Sequence, residues 1–220
     1  MPYMNLIFRA RDFLGLAVFF AMLSGNVNAI SNLLRRHNID FEITIDPNVI
    51  DRANSIMLPG VGAFDATMKL LHNTGMFDVL NEQVLNKKKN ILGVCVGMQV
   101  MAEASEEGSM RGFGWIPGVV KKIKVSGDVK PTLPHMGWNS VQHNGDPLLQ
   151  NINCDMGFYF LHSYYFETAK DEYVCATSKY FHDFPCVVRN DNVYGTQFHP
   201  EKSHFNGIQL LKNYAGLKKC

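Results

Sequence analysis

Short apolar runs alternate with stretches whose apolar positions recur at helical spacing through the first half of the chain. That is the pattern of successive βαβ units around a mainly parallel sheet. Leu16 to Phe20 predicts a first strand, and Asn26 is placed to cap a helix running through Ile30, Leu33 and Leu34 to His37. Phe41 to Ile45 predicts a second strand, stopped by Asp46-Pro47. Ser55 to Leu58 predicts a third, ending in the loop Pro59-Gly60-Val61-Gly62. Helices follow over Phe64 to Asn73 and Met76 to Asn86. Ile91 to Val94 reads as a fully buried strand that runs straight into Cys95, with a helix beyond it to about Ala104.

From Phe113 the period changes. Short strands punctuated by Gly, Pro and Asn predict an antiparallel layer in the C-terminal half: Gly118 to Val125, Gly137 to Val141, Phe158 to His162, Tyr173 to Ser178, Val187 to Asn190 and Val193 to Phe198. A closing helix is expected over Ser203 to Tyr214. No repeat, low-complexity tract or linker interrupts the pattern, so residues 1–220 read as one α/β domain, with residues 1–13 an extension ahead of the first strand.

Composition narrows the possibilities. The 220 residues are 46% hydrophobic and 19% charged, with net charge +1, and the basic residues are scattered, so no nucleic-acid footprint is expected. Lys87-Lys88-Lys89 and Lys218-Lys219 read as solvated helix ends. The 5 cysteines form no CxxC pair, which argues against a disulfide framework or a zinc site and for reduced thiols in a cytoplasmic protein; no cofactor or metal is expected. Residues 1–29 carry Arg9 and Arg11, an apolar stretch Phe13 to Met22 and small residues up to Ala29, the three zones of a secretory signal. A basic extension before a β-strand is preferred, because cleavage after Ala29 removes a strand that the parallel sheet needs. No other apolar stretch is long enough to span a bilayer, so no membrane role is expected.

The first candidate chemistry is Gly93-Val94-Cys95-Val96-Gly97, a G-x-C-x-G between a buried strand and a helix. This is the cysteine form of the nucleophile elbow. A sharp strand-to-helix turn strains the central residue, and its neighbours two positions away must lack side chains to avoid collision. The sulfur then sits at a helix N-terminus, where unpaired N–H groups favour a thiolate. The plain alternative is a core cysteine between chance glycines. His199 tips the balance. The strand Val193 to Phe198 ends at His199-Pro200-Glu201, and residues two apart on extended chain share a side, so imidazole and carboxylate can face one site. A carboxylate beside an imidazole selects its tautomer and stabilises its protonated form, completing a nucleophile–base–orienter triad of Cys95, His199 and Glu201. The N–H of Val96, at the start of the elbow helix, is a candidate oxyanion donor. The loop holding Gly60, Val61 and Gly62 offers more, since it lies at the carboxyl edge of the sheet.

Leu58-Pro-Gly-Val-Gly-Ala-Phe64, Gly93-Val-Cys-Val-Gly-Met-Gln99, Ser105-Glu-Glu-Gly108, Pro134-His-Met-Gly-Trp-Asn139, His162-Ser-Tyr164 and Gln197-Phe-His-Pro-Glu-Lys202 follow one another in this order. In these motifs the chain closely resembles the class I (triad) glutamine amidotransferases, whose core is flavodoxin-like, and within them the HisH-like glutaminase subunits of imidazole glycerol phosphate synthase. The resemblance implies that Cys95 attacks the side-chain amide of L-glutamine, releasing ammonia and then glutamate. It implies substrate contacts from Gln99, Glu107, Gly62, Ser163 and Tyr164. It also implies a partner, a HisF-like cyclase built as a (β/α)₈ barrel, that uses the ammonia to make imidazole glycerol phosphate and an aminoimidazole carboxamide ribotide in histidine biosynthesis.

By the same resemblance, Asn26, Trp138, Tyr159 and Lys202 lie at the cyclase interface or along the ammonia route. The residues alone place Trp138 and Tyr159 in the core and Lys202 in solvent. One departure stands at Ala21-Met-Leu-Ser-Gly-Asn26, where such chains usually read Asp-Tyr-Gly-x-Gly-Asn. That difference keeps a related function open, a glutaminase feeding an N-acetyl-sugar amidotransferase in surface polysaccharide synthesis. A third possibility, from another class, is a non-catalytic binding subunit of the same fold.

Overall fold

Alternating apolar and amphipathic segments become strands and helices in the computed structural model, which describes residues 16–19, 27–124 and 132–218. In chain order, the first half holds β1 (Leu16–Phe19), α1 (Val27–Arg36), β2 (Phe41–Thr44), α2 (Pro47–Arg52), β3 (Ser55–Gly60), α3 (Phe64–Asn73), α4 (Met76–Asn81, continuing as a π-helical turn Glu82–Asn86), β4 (Asn90–Cys95) and α5 (Val96–Gln99). The second half holds β5 (Ala104–Ser105), β6 (Gly118–Lys122), β7 (His135–Asn139), β8 (Gln142–His143), β9 (Phe158–His162), β10 (Tyr164–Thr168), β11 (Val174–Tyr180), β12 (His182–Asn190), β13 (Val193–Thr196) and α6 (His204–Gly216).

Eight strands form the main sheet in the order β2-β1-β3-β4-β13-β12-β11-β8. The first five are parallel, and their order is that of a flavodoxin-like doubly wound sheet. The last three are joined antiparallel. The expected α/β class with a parallel centre therefore stands, but most of the antiparallel part extends the same sheet. Two small sheets, β10-β6-β5 and β7-β9, lie apart from it. Strand β1 lies between β2 and β3, inside the parallel part of the sheet. The extension over residues 1–13, Phe20, Asn26 and Val125 lie outside the described residues.

Two sequence expectations need correction, and two elements were not foreseen. The helix after Cys95 does not reach Ala104; it ends at Gln99. The segment 112–116 crosses behind it and takes the carbonyls that would carry the helix on: Phe113 N–H donates to Val100 O (2.8 Å), Ile116 N–H to Met101 O and Gly114 N–H to Ala102 O (3.0 Å). Gly112 lets this segment approach, since a Cβ there would meet Ala102 O at 2.1 Å. Lys89 is not a solvated helix end either. It is buried, and its ammonium donates to Ile50 O at 2.9 Å, at the end of α2. Strand β10 and helix α2, which begins with Asp46 accepting from Asn48 N–H at 2.8 Å, were absent from the sequence reading. Helix α2 has only 6 residues, too few for helical periodicity to single out.

The core is laid down where helices cover the parallel strands. Leu34, Ile56, Leu58, Leu92, Met98 and Leu210 are fully buried, and Tyr214 of α6 donates its hydroxyl to Ile56 O at 2.6 Å. A second cluster, of stacked Phe158 and Phe198 with Phe160 and Phe184 edge-on, fills the space between β7-β9 and the main sheet. Among the described residues, no helix is long and apolar enough to cross a membrane.

Candidate active site

Three neighbouring parallel strands deliver their carboxyl ends to one place. Gly60 of β3 is in register with Cys95 of β4, and Thr196 of β13 with Val94, so His199 follows three residues beyond β13 on the same edge. Cys95 caps α5 with φ 56° and ψ −114°. A non-glycine residue held there stores roughly 1–3 kcal/mol of strain, which the surrounding packing must offset. The packing is tight because three glycine backbones meet. A Cβ on Gly93 would lie 2.4 Å from Gly97 O, one on Gly97 1.7 Å from Leu58 O, and one on Gly60 2.9 Å from Gly97 N.

His199 sits in extended backbone and leads into a 3₁₀ turn at Pro200–Lys202. Its Nδ1 lies 2.9 Å from Glu201 Oε1, and both side chains are almost wholly buried. A carboxylate accepts, so Nδ1 carries the proton and Nε2 is left to face other groups. The strand is pinned on both sides: His199 N–H donates to Tyr159 O (2.9 Å), and Ser203 Oγ donates to His199 O (2.6 Å) while accepting from Tyr159 N–H (3.0 Å). Burial by itself pulls the imidazole toward its neutral form. Hydrogen bonds to the Cys95 sulfur and the Glu201 carboxylate, with their charges, outweigh that and raise its pKa to about 10. The ring is thus a strong base beside the sulfur.

Two further thiols lie in the core. Cys175 is pushed up to about 12, chiefly by burial and then by Asp146, and Cys186 is pushed up by burial as well. These are core cysteines. Among the described residues no group of His, Cys, Asp and Glu is placed to hold a metal ion.

Around Cys95 the polar groups are linked. Gln197 Nε2 donates to Cys95 Sγ at 3.8 Å, and the thiol is 3.9 Å from Leu161 O. Gln99, one helical turn past Cys95, is buried; its Nε2 donates to Gln197 Oε1 (3.0 Å) and Tyr164 O (3.2 Å). It is neither in solvent nor an unengaged arm. Gly62 has φ 116° with open space around it, so glycine is needed for backbone shape and not for room.

The sequence model of the family "Glutamine amidotransferase class-I" matches residues 24–215. The chain belongs to this family. The amidotransferase is 46% identical over 195 residues to "Imidazole glycerol phosphate synthase subunit HisH" of Leptospira borgpetersenii, covering 88% of this chain and 96% of that one. It is 43% identical to the protein of the same name in Bdellovibrio bacteriovorus, over 87% and 95%. A solved "glutamine amidotransferase" superposes with a TM-score of 0.68 at 18% identity, over 92% of this chain and 100% of that one, a likeness of fold.

In the amidotransferase, Glu107 is tied down: its Oε2 accepts from Phe64 N–H at 2.8 Å, at the first turn of α3 beside the Gly60–Gly62 loop. Asp65, also on α3, ties down the segment that follows Glu107, accepting from Ser109 N–H and Met110 N–H. Ser163 forms the bend between β9 and β10. Its carbonyl accepts from Ile123 N–H (3.0 Å), and that of Tyr164 from Gln99 and from His162 Nδ1 (2.8 Å). Trp138 is in register with Tyr159 across β7-β9, and the Lys202 ammonium lies 5.3 Å from the centre of the Tyr159 ring. Trp138 is 43% exposed and stacks on His204 at 5.3 Å, so it is not the core residue that its own chemistry suggested. These three form one aromatic and cationic face beside His199. Asn26 lies outside the described residues.

The sequence analysis gave Gln197 no role of its own, although it stands two residues before His199, a spacing that on extended chain shares a side. The buried pair His135 and His162 also escaped, because nothing local joins residues on separate strands. Burial lowers His135 to about 4. It lowers His162 to about 3, helped by the charges of His135 and His199 against the bond to Tyr164 O. Unfolded histidine takes a proton near 6.5, above either folded value. Stability is therefore expected to be complete above that range and to fall as pH drops toward about 3. Unfolding measured by circular dichroism from pH 7 to 4 should show a steeper loss for the wild type than for the His135→Asn/His162→Asn double variant; parallel curves would contradict this.

Proposed function

We propose that Cys95 is the nucleophile, His199 the base and Glu201 its orienting carboxylate in hydrolysis of L-glutamine to glutamate and ammonia. The observation that carries this reading is the meeting of Cys95, on its strained elbow, with the hydrogen-bonded pair His199–Glu201 at the carboxyl ends of adjacent strands. Cys95 loses its proton to His199 Nε2 and its sulfur attacks the side-chain amide carbon. N–H groups of Val96 and of the Gly60-Val61-Gly62 loop receive the charge that develops on the amide oxygen, a donor set in which each member contributes about 3 kcal/mol. His199 returns the proton to the departing nitrogen as ammonia. Water, activated by the same ring, then adds to the thioester and frees glutamate and the thiol.

Specificity follows from groups already oriented. Glu107, fixed by Phe64 N–H, is the carboxylate for the substrate's α-ammonium. Gln99 and Gly62 line the site on the side of the elbow. Because the carbonyls of Ser163 and Tyr164 are both engaged, the bend offers donors, suited to the substrate's α-carboxylate.

The relatives' name supports placing this glutaminase in a heterodimer with a HisF-like (β/α)₈ cyclase. Ammonia would pass directly to the partner's lyase chemistry, which yields imidazole glycerol phosphate and aminoimidazole carboxamide ribotide in the cytoplasm. Trp138, Tyr159 and Lys202 are the face proposed to meet that partner, with Asn26. Affinity capture from the native source tests the reading. The cyclase is expected to copurify, and glutamine is expected to yield ammonia faster when the cyclase holds its nucleotide. Recovery of a sugar amidotransferase in its place would reassign the acceptor. Failure of diazo-oxo-norleucine to label Cys95 in the complex would mean a binding subunit without catalysis.

A further inference from the structure

Two buried histidines stand behind the substrate bend and take no part in the steps above. His135 and His162 face each other in register across β7-β9, with His135 Nδ1 3.0 Å from His162 Nε2. Both rings are held neutral by burial, so each carries one N–H. The carbonyl of Tyr164 can only accept, and it lies 2.8 Å from His162 Nδ1, so the His162 proton is on Nδ1. Nε2 of His162 is then an acceptor, and the proton between the rings belongs to His135 Nδ1. That leaves His135 Nε2 to accept from Asn139 Nδ2 (3.3 Å), which also donates to Lys179 O (2.8 Å). All four ring nitrogens are used, and every bond runs one way, from Asn139 through His135 and His162 to Tyr164.

Packing holds the relay rigid. The His135 ring stacks on Tyr180 at 4.0 Å and Phe160 at 4.9 Å, and His162 lies against Phe184 at 5.1 Å. At its far end the Tyr164 carbonyl also takes the Gln99 amide, which leads through Gln197 to the Cys95 sulfur. The segment Leu161–Tyr164 therefore passes Cys95 at one end, where Leu161 O faces the sulfur, and Gln99 at the other.

We propose that His162, held by His135, is a positioning residue for glutamine: its Nδ1–H fixes the Tyr164 carbonyl and with it the bend at Ser163. This rests on the glutaminase reading given above. The neutral imidazole supplies a donor at Nδ1 and an acceptor at Nε2, so the two ring positions can be tested separately. The Asn amide nitrogen can occupy the Nδ1 position, whereas the longer Gln amide reaches the Nε2 position.

The test is steady-state glutaminase in the complex with the cyclase, with rates counted per Cys95 that diazo-oxo-norleucine labels, so that unfolded chains drop out. His162→Gln, which keeps the link to His135 but loses the donor to Tyr164, is expected to raise KM for glutamine about tenfold, the effect of one net hydrogen bond, with a smaller change in kcat. His162→Asn, which keeps the donor, is expected to stay within about threefold of the wild-type KM. Synthesis from added ammonium salts should not change in either. Should both His162 variants be insoluble, His135→Leu, which leaves the Tyr164 partner in place but unsupported, is expected to raise KM several-fold. Equal KM values for the Asn and Gln variants, or for His135→Leu and wild type, overturn the positioning role while the wild-type complex still hydrolyses glutamine. A wild-type complex with no glutaminase overturns both readings.

Discussion

Cys95→Ala is expected to abolish glutamine-dependent synthesis by the complex and to leave synthesis from ammonium salts intact. In the proposed mechanism the sulfur forms and breaks the covalent bond between chain and substrate, so no neighbouring group substitutes for it. Removal of the nucleophile in another triad enzyme costs on the order of 10⁶ in kcat. The fold should tolerate the change, because the thiol's contacts with Gln197 Nε2 at 3.8 Å and Leu161 O at 3.9 Å are long. Measuring both activities on one preparation separates chemistry from folding. If the ammonium-dependent rate vanished with the glutamine-dependent one, ammonia and glutamine would share a site and the division of labour between two subunits would be wrong.

Gly97→Ala is expected to be severely damaging for a change of a single methyl group. The added Cβ would lie 1.7 Å from Leu58 O and 2.9 Å from Leu58 C, both backbone atoms of β3, the strand between β1 and β4. A flexible side chain could swing away; a strand bonded on both edges cannot. Overpacking of a rigid core costs roughly 1–3 kcal/mol and sometimes more, and the backbone clash puts this case at the upper end. That corresponds to a fall in melting temperature of roughly 10 °C for a chain of this size. Any relaxation must push β3 and the Gly60–Gly62 loop from the elbow, so chains that do fold should lose much of their glutaminase. Thermal unfolding followed with Cys95 labelling checks both effects; a melting temperature within about 2 °C of wild type would show that the elbow has slack.

The legible part of the site was the local part. A buried strand running into G-x-C-x-G, and a His-Pro-Glu at the end of another, are patterns in which backbone conformation and side-chain direction follow from neighbours in sequence. The succession of strands and helices that makes the parallel centre follows from period alone, and β1, β2, β3, β4 and β13 form where the apolar runs lie. Expectations failed where a distant segment competed. Helix α5 stops at Gln99 because residues 112–116 capture its carbonyls, and Lys89 is buried because the end of α2 supplies acceptors for its ammonium.

The sequence by itself determined the doubly wound architecture, the elbow, and the pairing of His199 with Glu201. Only the tertiary structure decided that Cys95 and His199 meet at one sheet edge, that Trp138 faces outward, and that His135 and His162 form a relay ending at Tyr164. The reason is physical: periodicity records which side of its own strand or helix a residue takes, whereas strand order and register choose which residue stands opposite.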